Sequence, residues 1–182
     1  SGKYTVQERL IFPRYHQFDA VLKMLNDAKT NGVGLNYLCE HSAGSGKTST
    51  IAWTSHGLIR LRQDDGTPYF NSVIVVTDRT VLDDQLQEAI KQIDHQKGLI
   101  ATISRENKEN GGGTKSKQLE NALISGTPII VVTIQTFPHV MEAILTENSL
   151  SDRRYAIIVD EAHTSQTGST ASKLQATLAL KS

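Results

Sequence analysis

Short, uninterrupted apolar runs rich in β-branched residues recur along the chain. Runs of four or five apolar residues without polar alternation are typical of strands that are buried on both faces of a parallel sheet. The sequence predicts five such strands, at residues 35–39, 73–77, 100–103, 129–133 and 156–160.

Between these runs, apolar residues spaced three and four apart predict helices. The first helix covers Phe18 to Ala28 and ends at Asn31 and Gly32. Further helices are predicted at residues 47–62, 81–93, 116–124 and 137–146. Alternating strands and helices predict an α/β domain with a mostly parallel sheet flanked by helices. Ligands of such sheets bind at the carboxyl ends of the strands.

Two polar segments interrupt this alternation. Residues 63–71 (QDDGTPYFN) predict a surface loop. Residues 105–117 (RENKENGGGTKSK) contain three consecutive glycines and predict a mobile loop. We interpret this second loop as a solvated connector rather than a functional arm.

Composition and charge exclude several classes of protein, among them membrane-spanning and disulfide-bonded proteins. The chain has 182 residues, of which 38% are hydrophobic and 21% charged, which suits one domain or one lobe of a larger protein. No apolar stretch is long enough to predict a membrane span, and the polar N-terminus does not resemble a signal peptide. The single cysteine, Cys39, excludes an internal disulfide and a cysteine metal cluster, and fits a cytoplasmic protein. With 19 basic and 19 acidic residues, net charge gives no argument for nucleic-acid binding, which motifs alone can supply.

The segment HSAGSGKT, residues 41–48, has the composition of a phosphate-binding loop between a strand and a helix. Glycines allow its backbone N–H groups to turn toward phosphate oxygens, and the following helix adds its positive N-terminal end. Lys47 is predicted to reach the β- and γ-phosphates, and the Thr48 hydroxyl to bind Mg²⁺. His41 stands where the general motif has its first glycine, and we expect it to pack beside the loop. The residues predicted to bind ATP here are Ala43, Gly44, Ser45, Gly46, Lys47 and Thr48. The alternative is a chance glycine-rich turn.

An acidic pair follows the last predicted strand in the segment Asp160-Glu161-Ala162-His163, a DEAH box. A carboxylate at the end of a buried strand can bind Mg²⁺ beside Thr48, so we predict this role for Asp160. Glu161 is predicted to orient or deprotonate the attacking water. With Lys47, these two residues form the predicted catalytic set, and His163 is expected to relay the state of the nucleotide. The alternative for the acidic pair is the N-terminus of a helix.

Together, the two motifs resemble the first motor lobe of superfamily-two helicases and translocases, a RecA-like P-loop NTPase lobe. Upstream, Arg14-Tyr15-His16-Gln17 resembles the adenine-recognition element of these motors. The resemblance implies that Gln17 reads the edge of the adenine ring, with Arg14 as its neighbour. The alternative for Gln17 is an exposed helix residue.

Three further segments are similar to the motor (R) subunit of type I restriction endonucleases. They are residues 77–85 (TDRTVLDDQ), residues 133–137 (TIQTF) and residues 160–166 (DEAHTSQ). The resemblance implies that Thr77, Arg79, Thr133 and Gln135 face DNA and contact the phosphates of one strand independently of base sequence. The alternative for Arg79 is a helix-capping or ion-pair residue within the lobe.

The resemblance implies the ATP-binding lobe of a double-stranded DNA translocase, with methyltransferase and specificity subunits as partners, in a bacterial or archaeal cytoplasm and away from membranes. We expect residues 1–182 to be a fragment that forms a single motor lobe, without the second lobe and the nuclease domain, and to hydrolyse ATP barely on its own. Three alternatives stay open: an RNA helicase or other nucleic-acid remodeller, a nucleotide-gated binding module, and a small-molecule P-loop kinase.

Overall fold

The structure is a computed structural model that describes residues 13–32, 37, 39–40, 45–77, 80–93, 98–103 and 115–160. Two helices precede the first strand of this part of the chain, and strands and helices then alternate. In chain order the elements are α1 (Tyr15–Asn31), α2 (Lys47–Arg60), β1 (Ser72–Thr77), α3 (Thr80–Ile93), β2 (Ile100–Thr102), α4 (Lys115–Ile124), β3 (Ile129–Thr133), α5 (Phe137–Thr146), α6 (Asn148–Ser151) and β4 (Tyr155–Val159).

The four described strands form one parallel sheet in the order β2-β3-β1-β4. Strand β1 lies in the middle, where Val73 is in register with Ile129 of β3 and with Ala156 of β4. All four carboxyl ends therefore lie at one edge of the sheet. This arrangement confirms the predicted α/β class, with helices flanking a parallel sheet.

The two faces of the sheet are covered by different helices. Val73 and Val75 pack in a cluster with apolar residues of α2 and α3, whereas Ile74 and Val76 pack with residues of α4, α5 and α6. All four side chains are fully buried. Burial on both faces explains why the strand is continuously apolar, as in other parallel sheets.

The boundaries of several elements agree with the sequence pattern. Four of the five predicted strands are confirmed, and the run at residues 35–39 lies largely outside the described residues. The predicted surface loop at residues 63–71 is confirmed, with a tight turn in which the backbone N–H of Gly66 donates to Gln63. The second predicted helix ends at Arg60, two residues earlier than expected.

The predicted mobile loop at residues 105–117 is wrong at its end, because α4 begins at Lys115. The first residues of this helix are as polar in sequence as a loop, and the buried residues Leu119 and Leu123 follow only one turn later. Residues 105–114 lie outside the described residues. None of the helices in the described part of the chain combines the length and apolarity that a membrane crossing requires.

Candidate nucleotide-binding site

Helix α2 begins at the carboxyl-end edge of the sheet, directly after a glycine in the left-handed conformation. Gly46 has φ +86° and ψ +35°, and its carbonyl oxygen accepts a hydrogen bond of 3.1 Å from the backbone N–H of Thr50. Residues with a Cβ adopt this conformation only with strain. The N-terminus of this 14-residue helix carries the positive end of the helix dipole, which favours an anion.

Asp160 follows strand β4, and its side chain lies beside the N-terminus of α2. Its backbone N–H donates to the carbonyl oxygen of Val76 at 2.8 Å, so the bonding between β1 and β4 continues one residue beyond β4. Its carboxylate Oδ1 lies 3.0 Å from the ammonium Nζ of Lys47. The side chain of Asp160 is only 7% exposed and that of Lys47 33%. A buried carboxylate is costly unless a cation or hydrogen bonds compensate it, so this ion pair explains how Asp160 is accommodated.

These residues fit a nucleotide with a magnesium ion. Lys47 and the N-terminus of α2 suit phosphate oxygens. The Asp160 carboxylate and the hydroxyl of Thr48, the residue after Lys47, are the oxygen ligands that Mg²⁺ prefers. The described residues contain no group of three or more His, Cys, Asp or Glu side chains placed to hold a metal. At nucleotide sites Mg²⁺ is usually held by one or two carboxylates together with phosphates, and the Asp160 carboxylate suits that arrangement.

Gln17 lies against Ser45 and Gly46 at the end of the predicted phosphate loop, and the residue is 4% exposed. Its Nε2 donates to the carbonyl oxygens of Ser45 at 3.1 Å and of Gly46 at 3.0 Å, and its Oε1 accepts from the backbone N–H of Arg14 at 2.8 Å. The alternative of an exposed helix residue is therefore wrong. Arg14 precedes α1 as its N-cap and is exposed. The adenine-reading role of Gln17 stays a prediction.

His16 also contacts the loop, although no motif in the sequence assigns it a role. Its Nε2 lies 3.2 Å from the carbonyl oxygen of Ser45. The only available signal was its position next to Gln17. Further along, Leu25 of α1 packs directly on Gly57 of α2, where a Cβ would meet the leucine side chain. Helix α1 therefore contacts the loop through His16 and Gln17, and it contacts α2 through Leu25.

The described residues predicted to face DNA lie at the same edge of the sheet. Thr77 and Thr133 are in register and buried, at 0% and 5% exposed. The Thr133 hydroxyl lies 3.0 Å from that of Thr136, and the backbone N–H of Ile134 donates to Thr77. Gln135 is exposed. In this conformation a side-chain contact to DNA is therefore open to Gln135 rather than to the two threonines.

Several predicted site residues lie outside the described residues, and their roles stay predictions. They are His41, Ala43, Gly44, Arg79, Glu161 and His163.

The family model for the SWI2/SNF2 ATPase matches residues 16–181 of the chain. The chain belongs to the SWI2/SNF2 ATPase family. The matched range contains the predicted phosphate loop, the acidic pair and Gln17, and the roles of these residues in nucleotide binding stay predictions. No curated protein and no solved structure matches the chain significantly.

As a SWI2/SNF2 ATPase domain, the chain is a helicase-like ATPase of superfamily two, which confirms the predicted motor class. Membership of the family indicates ATP hydrolysis that depends on nucleic acid. It also indicates ATP as the nucleotide, with Mg²⁺ as the usual metal of such ATPases.

Proposed function

We propose that the chain is the ATP-binding lobe of a double-stranded DNA translocase in a type I restriction endonuclease. The observation that carries the ATPase part is the meeting of Lys47 and Asp160, 3.0 Å apart, at the N-terminus of α2. The restriction assignment is supported by the three segments at residues 77–85, 133–137 and 160–166, which resemble the motor subunit of these enzymes. On this proposal residues 1–182 form the first of two motor lobes, and DNA cleavage takes place elsewhere in the subunit.

In the proposed reaction, Lys47 and the N-terminal N–H groups of α2 bind and orient the phosphates. Thr48 and Asp160 would hold Mg²⁺, which would neutralise phosphate charge. Glu161 is the proposed base that takes the proton of the attacking water. Double-stranded DNA and the methyltransferase and specificity subunits are the proposed partners, in a bacterial or archaeal cytoplasm.

A second lobe would complete the site. In related phosphoryl-transfer enzymes an arginine supplied from outside the phosphate site is worth about 10³–10⁵ in turnover. We therefore expect residues 1–182 alone to bind MgATP weakly and to hydrolyse it barely. Robust turnover by these residues alone would contradict the two-lobe part of the proposal.

The proposal is tested by ATP turnover of the motor subunit assembled with its partner subunits, with duplex DNA or single-stranded RNA added. Strong stimulation by duplex DNA that is abolished in Lys47→Ala supports a DNA translocase. Lys91→Ala, which alters an exposed lysine of α3, is the matched control. Stimulation by RNA alone would contradict the restriction assignment and favour an RNA helicase.

Translocation itself needs a separate measurement, since a nucleotide-gated binding module would also bind DNA and ATP. Displacement of a third strand from a DNA triplex, dependent on ATP hydrolysis, is the expected result for a translocase. A complex that binds duplex DNA and hydrolyses ATP without displacing the third strand would contradict it. Transfer of phosphate to a small molecule instead of water would favour a kinase.

A further inference from the structure

We propose that His16 and Gln17 position the phosphate loop by binding its backbone carbonyl groups, so that α1 contributes to phosphate binding and not only to recognition of the base. This inference rests on the proposed nucleotide site. It assigns His16 a role that the motifs do not give it, and it gives Gln17 a role that is separate from reading adenine.

The hydrogen bonds of Gln17 account for both hydrogens of its amide nitrogen. A primary amide has two N–H donors. In this structure they point to the carbonyl oxygens of Ser45 and Gly46, at 3.1 and 3.0 Å. The amide oxygen accepts from the backbone N–H of Arg14, which fixes the side chain from the start of α1. The amide nitrogen therefore serves the loop, and the remaining lone pair of Oε1 is the group left for a base.

His16 binds the same carbonyl group of the loop. The Nε2 atom of His16 lies 3.2 Å from the Ser45 oxygen. Because a carbonyl oxygen only accepts, Nε2 must carry the hydrogen in this contact. Two neighbouring side chains of α1 thus donate to one loop oxygen, while Gln17 also reaches the next.

Binding these carbonyl groups fixes the direction of the loop N–H groups. In a planar trans peptide, C=O and N–H point in opposite directions. With the Ser45 and Gly46 carbonyl oxygens turned toward α1, the N–H groups of Gly46 and Lys47 are turned away from it. Preoriented N–H groups of this kind are what a phosphate-binding loop offers an anion.

Gly46 is needed for this contact as well as for its own backbone conformation. A Cβ built on Gly46 would collide with Nε2 of Gln17. The amide can therefore reach the loop only where the side chain is a hydrogen atom. The left-handed φ of +86° separately favours glycine at the same position.

The test compares two ligands that share the phosphates but not the base, namely ATP and inorganic tripolyphosphate, both with Mg²⁺. Dissociation constants are measured by calorimetry for wild type and for Gln17→Met, which keeps length and volume but removes the amide. Gln92→Met is the matched control on an exposed position of α3. Thermal unfolding confirms that each variant is folded.

We expect Gln17→Met to raise the dissociation constants of both ligands by a similar factor, roughly tenfold, because two neutral hydrogen bonds to the loop are lost. If the variant bound ATP more weakly but tripolyphosphate as tightly as wild type, the inference would be overturned, because Gln17 would then contact only the base. If wild type binds neither ligand, the proposed nucleotide site itself fails, and this inference fails with it.

The exposed His16 provides a second test that does not depend on the folding of a buried variant. His16→Gln places an N–H donor near the position of Nε2, and we expect it to keep the affinity for both ligands. His16→Leu removes the donor, and we expect it to raise the dissociation constants of both ligands about threefold. Equal affinities for the Gln and Leu variants would overturn the role of His16.

Discussion

The ammonium nitrogen of Lys47 lies 3.0 Å from Oδ1 of Asp160, which joins the first residue of α2 to the residue that follows β4. Two segments that are far apart in sequence meet here because the sheet is parallel and both reach its carboxyl-end edge. The contact places a cation suited to phosphate beside a carboxylate suited to Mg²⁺.

Replacing Lys47 removes the charge that is proposed to bind phosphate. We expect Lys47→Ala to lower nucleic-acid-stimulated ATP turnover at least about 100-fold, the size of effect seen when one preorganised donor is removed from an active site. Turnover is measured at saturating ATP and over an ATP titration. Lys91→Ala should be close to wild type, and turnover of Lys47→Ala within a few-fold of wild type would contradict the assignment.

Alanine variants of two glycines with the same backbone conformation distinguish the effect of backbone strain from the effect of losing the contact with Gln17. Gly46 and Gly66 have φ +86° and +82°, but only Gly46 has a close neighbour, since a Cβ on Gly66 would meet nothing within 4 Å. Both alanine variants should lose about 1–2 kcal/mol of stability from the left-handed conformation. Only Gly46→Ala should also weaken ATP binding, because it displaces the Gln17 amide from the loop. Urea unfolding and ATP titration measure the two effects, and equal ATP affinities in the two variants would contradict the account.

Gln135 and Thr133 are expected to respond differently to substitution, although both were predicted to face DNA. Gln135 is exposed, so Gln135→Ala should raise the duplex DNA concentration for half-maximal stimulation of turnover about 2- to 10-fold. Thr133→Val should instead cost about 1 kcal/mol of stability, because the buried hydroxyl pairs with that of Thr136. Gln92→Ala controls for the loss of an exposed glutamine. A larger effect on DNA dependence from Thr133→Val than from Gln135→Ala would refute this ranking.

Arg153 stabilises the fold at the edge of the sheet opposite the site. Its Nη1 donates to the carbonyl oxygen of Leu123 at 2.6 Å, and its Nη2 to that of Ile124 at 3.3 Å, at the C-terminus of α4. We expect Arg153→Met to lower the free energy of unfolding by about 1–3 kcal/mol and to leave ATP affinity unchanged. Urea unfolding checks the first expectation, with Lys91→Met as control. A changed ATP affinity would show coupling across the sheet that the structure does not predict.

The parts of the fold that follow a strong pattern could be predicted from sequence. β3 and α5 begin and end where the apolar runs predict, because burial on both faces of the sheet and on one side of the helix dictates those patterns. Helix α6 was missed because four residues are too short for a helical period. The helix predicted at residues 116–124 agrees with α4 to within one residue, whereas the overlapping loop prediction at 105–117 extended too far because the first turn of α4 is as polar in sequence as a loop.

Some features of the candidate site could likewise be predicted from the sequence and others could not. Lys47, Thr48 and Asp160 could be proposed from the sequence because their residue types carry the chemistry and their positions follow from strand ends, and the structure brings Lys47 and Asp160 together. The hydrogen bonds from α1 to the loop could not be predicted. Their acceptors are the backbone carbonyl groups of Ser45 and Gly46, whose orientation cannot be read from residue types. Nor does the sequence indicate that the backbone N–H of Arg14 would hold the Gln17 amide oxygen.

The central claim, that Lys47, Thr48 and Asp160 form a magnesium-nucleotide site, is tested most directly by titrating ATP into wild type and Asp160→Asn, each with Mg²⁺ and with chelator. Asp152→Asn, an exposed aspartate, is the matched control. We predict that Mg²⁺ strengthens ATP binding to wild type and to the control at least about tenfold, since Thr48 and Asp160 would hold an ion that neutralises phosphate charge. In Asp160→Asn this dependence should disappear, while binding without Mg²⁺ persists. A full magnesium effect in Asp160→Asn, or none in wild type, would contradict the account.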